Sequence, residues 1–94
     1  MEAIRLGADS LEVEYKDGHE QAYAVKDGIG YGIASLRSST TQATSLRDEL
    51  RGITRRSRRL TVGEYEYELR SHVYDSFGED AFRVDLRRLS SRRP

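Results

Sequence analysis

Residues 39–60, STTQATSLRDELRGITRRSRRL, decide the architecture: they carry a long helical period, and strand-like sequence lies on both sides of them. Ala43, Leu46, Leu50, Ile53, Ser57 and Leu60 recur at alternating spacings of three and four. At about 3.6 residues per turn they form one apolar stripe. Ser45 followed by Asp48 fits a capping box, and Ser39 or Thr41 offers an earlier start. Arg55, Arg56, Arg58 and Arg59 suit the negative pole of the helix dipole at the far end. Gly52, inside the stretch, costs about 1 kcal/mol relative to Ala.

The same stretch holds the strongest charge feature of the chain. On a helix, Arg47, Arg51, Arg55 and Arg58 share about a quarter of the circumference, and Arg56 and Arg59 follow in the same run of sequence. Asp48 can pair with Arg51 at i, i+3, and little else in the helix offsets the charge. Such a face suits either solvent or a phosphate backbone.

Upstream, Leu11, Val13 and Tyr15 alternate with polar residues, as a half-buried strand requires. Asp17-Gly18 is a two-residue hairpin signal. With those two residues as the loop, Val13 faces Ala22 and Leu11 faces Ala24, a combination of large and small that suits a face covered by a helix. Tyr23 and Val25 then fall on the opposite face and form a candidate interface. Asp27-Gly28 is a second turn, followed by Ile29, Tyr31 and Ile33 alternating with Gly30, Gly32 and Ala34. The glycine run matches no phosphate-loop spacing. Residues 1–8 read as a short edge strand.

Downstream the period returns to two. Tyr65, Tyr67, Leu69 and Val73 alternate with Glu64, Glu66, Glu68, Arg70 and His72, so that Tyr65 and Tyr67 read as core. Asp75–Asp80 reads as a turn longer than two residues. Phe82, Val84 and Leu86 make the last strand. The expected fold is therefore α+β, with strand order ββ(β)-α-ββ. One antiparallel sheet of about five strands carries a single helix on one face. The domain is expected over residues 1–88, with a disordered basic tail over 89–94.

Composition narrows the functions. The 94 residues include no Cys, which excludes disulfides, thiolate nucleophiles and Cys-based zinc sites. No apolar run approaches the roughly 20 residues that span a bilayer. Met1–Arg5 lacks the pattern of a secretory signal, so a cytoplasmic location is expected and no membrane partner. His19 and His72 have no metal-ligand spacing, and Ser38–Thr41 lies in no nucleophile motif. Neither an enzyme nor a bound cofactor or metal is expected. Residues 1–45 carry four basic and seven acidic side chains and residues 46–94 twelve and nine, so a neutral chain is polarised. With 36% apolar residues the core is modest.

These features favour a small interaction or accessory domain working through protein contacts, as a homodimer or with another protein. The alternative is a nucleic-acid-binding module using Arg47, Arg51, Arg55, Arg56, Arg58 and Arg59. The near-neutral pI of about 6.7 weighs against it, since such domains usually exceed about 9.

Overall fold

Two-residue turns build most of the sheet. In the computed structural model, which describes residues 2–91, Asp17-Gly18, Asp27-Gly28 and Phe77-Gly78 each place both residues at positive φ. That geometry matches the twist of the strands it joins. The turns connect β1 (Ser10–Lys16) to β2 (His19–Lys26), β2 to β3 (Ile29–Arg37), and β5 (Tyr65–Ser76) to β6 (Glu79–Ser91). The first hairpin has the register that its turn dictates, with Val13 opposite Ala22 and Leu11 opposite Ala24.

The sheet has six antiparallel strands in the order β3-β2-β1-β6-β5-β4, not five. The additional strand is β4 (Arg58–Val62), which the helical stripe had absorbed. The long helix, α2, spans Thr41–Arg55 rather than residues 39–60. Arg56 already has extended backbone, φ −150° and ψ 122°, while its N–H still donates to Gly52 O at 3.0 Å. Physically, Gly52 and a run of like-charged arginines weaken the last turn, and Leu60-Thr61-Val62 gain a full ladder against β5. Leu60 packs against the core from this strand, where the helical stripe would also have taken it. At the other end the cap is Thr40, not Ser45: its Oγ1 accepts from the Ala43 N–H at 3.2 Å.

Two three-stranded meanders thus flank α2 in sequence, and they join in space through the first and last strands, β1 and β6. β3 and β4 lie on opposite edges, so the connection between them must cross the whole sheet. Five inter-strand gaps span about 24 Å, and a helix of 15 residues is about 22 Å long. The helix length matches that span. Its Ala43, Leu50 and Ile53 are buried, the last two against Val13, Ala22, Leu69, Phe82 and Val84. Each large apolar side chain buried there contributes about 1.5–3 kcal/mol.

Four further expectations change. Of the stretch 1–8 expected as an edge strand, the described residues 2–8 form none. Glu2–Arg5 make one helical turn, α1, which buries Ala3 completely. It ends in a Schellman motif: Gly7 at φ 71° donates to Ile4 O, and Ala8 donates to Ala3 O, both at 3.0 Å. The turn expected over Asp75–Asp80 contracts to Phe77-Gly78, because Ser76 pairs with Glu79 and Asp75 with Asp80. Tyr65 is exposed and Tyr67 only half-buried, since they lie where β5 runs past the helix. Leu89, Ser90 and Ser91, expected in the tail, belong to a strand instead. Strand β6 reaches Ser91, held by β5 pairing as far as Tyr65. The remaining tail residues, 92–94, lie outside the described residues.

Candidate interaction surfaces

The arginine face predicted for one helix is divided between a helix with its cap and a strand. Arg47, Arg51 and Arg55 are on α2, Arg56 is its cap, and Arg58 and Arg59 are adjacent in β4 and so point to opposite faces of the sheet. Arg47 and Arg51 are engaged. The Arg47 Nη1 donates to Glu20 Oε1 at 2.6 Å, and Nη2 reaches Ser38 O at 3.4 Å. The Glu20 side chain is only 5% exposed, so this pair neutralises a carboxylate that β2 buries under the helix. Arg51 donates to Asp80 Oδ2 at 3.4 Å, lies 3.9 Å from Asp48, and stacks over the Phe82 ring at 5.8 Å. Arg58 lies 3.9 Å from Glu49. Arg55, Arg56 and Arg59 are exposed and form no ion pair among the described residues. An unbroken phosphate-contacting helix face is absent, because folding sets acidic residues from β2 and β6 against two of its members.

Tyr23 and Val25 lie on the face away from α2, as the hairpin register requires, opposite Glu12 and Ser10. Both are half-buried. The Tyr23 hydroxyl donates to Gln21 Oε1 at 2.6 Å, and a Cβ on Gly30 would come within 3.9 Å of Tyr23 Cβ. The neighbouring glycines of β3 leave room beside the ring, which is satisfied within its own sheet.

The rest of that face is a polar network. His72 Nε2 lies 3.2 Å from Asp85 Oδ2, and the Arg83 Nε donates to Asp85 Oδ1 at 3.2 Å. The Tyr74 hydroxyl donates to Glu14 Oε1 at 3.2 Å. Burial, and then the Glu14 carboxylate, push the Tyr74 phenol up to about 12, because a phenolate there would be poorly solvated beside a like charge. Among the described residues no cluster of three or more His, Asp or Glu is arranged to hold a metal ion. Nor is any described helix long and apolar enough to cross a membrane.

The two sides of the sheet differ in chemistry. On one side β4 is short and carries Arg58 and Arg59. Beyond it the outer half of β5, which no strand covers, carries Arg70, His72 and Asp75. Charge along an edge discourages pairing with another chain. On the other side β3 has nine residues, and its only charge is Arg37 at the end. Ile29 and Tyr31 on β3 are 56% and 49% exposed, and Leu6 beside them is 43% exposed. The lack of charge between Asp27 and Arg37, in a chain that is 34% charged, is the sequence signal for this surface. The alternation of Gly and apolar residues identified the strand but not its place at an edge, which depends on β1 choosing β6 as its second neighbour.

No protein-family model matches the chain, and no match is found among curated proteins.

Proposed function

We propose that this protein is a non-enzymatic interaction domain that works as a homodimer, with the β3 edges of two copies paired antiparallel. The carrying observation is the asymmetry of the sheet. A long, nearly uncharged edge with exposed Ile29 and Tyr31 stands opposite a charged one. An uncovered edge presents a row of unpaired backbone groups, and pairing satisfies them. A neutral strand also meets no like charge from its own copy across a two-fold axis. With a single adhesive edge the assembly closes at two copies, whereas two such edges would extend into a fibre. Ile29 and Tyr31 share a face of β3, and antiparallel pairing about a two-fold near Gly30 brings their counterparts alongside them and buries apolar surface that one chain leaves wet.

Sedimentation or light scattering on the purified chain tests this. The wild type should have twice the mass of the 10.8 kDa chain. Tyr31→Lys should be monomeric, while Thr61→Lys on the charged edge should remain a dimer. A wild type that stays monomeric at high micromolar concentration, or a Tyr31→Lys dimer, removes the proposal. A nucleic-acid role retains Arg55, Arg56 and Arg59 as exposed cations, a weaker basis than the six residues of a continuous face.

A further inference from the structure

The strands run further than the width of one helix can cover. On the side of α2 away from Arg47 and Arg51 the seam between helix and sheet stays open as a cavity of about 230 Å³. Its floor is Leu11, Leu69 and Val84, its roof Leu46 and Leu50, and Leu60 of β4 closes one end. Two charged groups line it, Glu49 and Arg58. We propose that this cavity binds a small amphiphilic carboxylate, with its apolar chain among the leucines and its carboxylate on Arg58.

Three observations carry the assignment. Leu11, Leu46 and Leu60 pack against the core yet remain half-buried, so water meets apolar surface that an apolar ligand would cover. The volume lies below the about 300 Å³ at which pockets for drug-sized ligands begin. It suits a medium-length acyl chain rather than a large ring system or a folded segment. The third observation is charge. Arg58 lies 3.9 Å from Glu49, beyond hydrogen-bonding distance, and both side chains are more than half exposed. Its planar guanidinium therefore still has donors to offer, and a carboxylate accepts two of them side by side. Arg58, one member of the run that the helical period presented as a nucleic-acid face, thus borders the mouth of an apolar site.

Sodium octanoate, kept below its micellar concentration, is the probe, and octanol is its uncharged counterpart. Binding is followed by calorimetry and by the methyl shifts of Leu11, Leu46, Leu60 and Val84. Octanoate should bind the wild type about tenfold more tightly than octanol, as one charge-assisted contact implies. Arg58→Gln should abolish that difference and leave octanol affinity unchanged. Leu60→Trp, which fills the cavity, should weaken both ligands while circular dichroism stays that of the wild type. Should Leu60→Trp fail to fold, Leu46→Phe occupies the same space from the helix. The proposal is overturned if octanoate does not bind the folded wild type, or if binding survives a folded cavity-filling variant. Equal affinity for octanol and octanoate in the wild type overturns the role of Arg58.

Discussion

At the residue scale, partners from distant strands decide what each charge does. Arg47 is a candidate phosphate contact when read along the helix, yet 27 residues upstream Glu20 takes it into a part-buried pair. Nothing in the local sequence links them, because a β2 residue and an α2 residue meet only once the helix lies on the sheet. Tyr74 is the other case, since its environment comes from Glu14 on β1. Its phenol is pushed up to about 12 from 10.0. The unfolded chain therefore loses this proton first, and stability that is complete below pH 10 falls as pH rises from 10 to about 12. Denaturant unfolding across that interval should show a steeper loss for the wild type than for Tyr74→Phe. Equal slopes would mean that Tyr74 titrates like an ordinary tyrosine.

At the element scale, turns were the most legible feature. Asp17-Gly18 and Asp27-Gly28 could be placed to the residue because Asp and Gly tolerate positive φ. Within the turn expected over Asp75–Asp80, Phe77-Gly78 carries no such signal, since a bulky aromatic is a poor choice there, and at φ 52° it bears about 1 kcal/mol of backbone strain. Its ring is fully exposed, so no packing offsets that strain. Phe77→Asn should stabilise the protein by about 1 kcal/mol, read as a higher thermal midpoint; a lower one would mean the ring makes stabilising contacts. The helix boundary failed for a different reason. Leu60 satisfies the helical stripe and the β4 pattern equally, and only the ladder with Tyr67 separates the two. The short turn at Gly63-Glu64 was the available sign of a hairpin there.

At the scale of the whole molecule, the ladder that binds the two meanders pairs the first long strand with the last. Neither half has a complete core: Val13 and Ala22 come from one, Leu69, Phe82 and Val84 from the other, and Leu50 and Ile53 of the helix cover both. Separate fragments 1–38 and 39–94 should each lack a folded β spectrum by circular dichroism, and mixing them should restore it. A fragment that folds alone would show that the halves are independent units. By itself the sequence determined the α+β class, the hairpin register, the apolar faces and the lack of thiol chemistry, because these follow from residue type and from contacts within a hairpin or a helical turn. Tertiary structure alone decided that β3 is an edge, that Arg47 is neutralised and that a cavity remains beside α2. Each depends on which distant strands become neighbours, and local period and propensity carry no information about that choice.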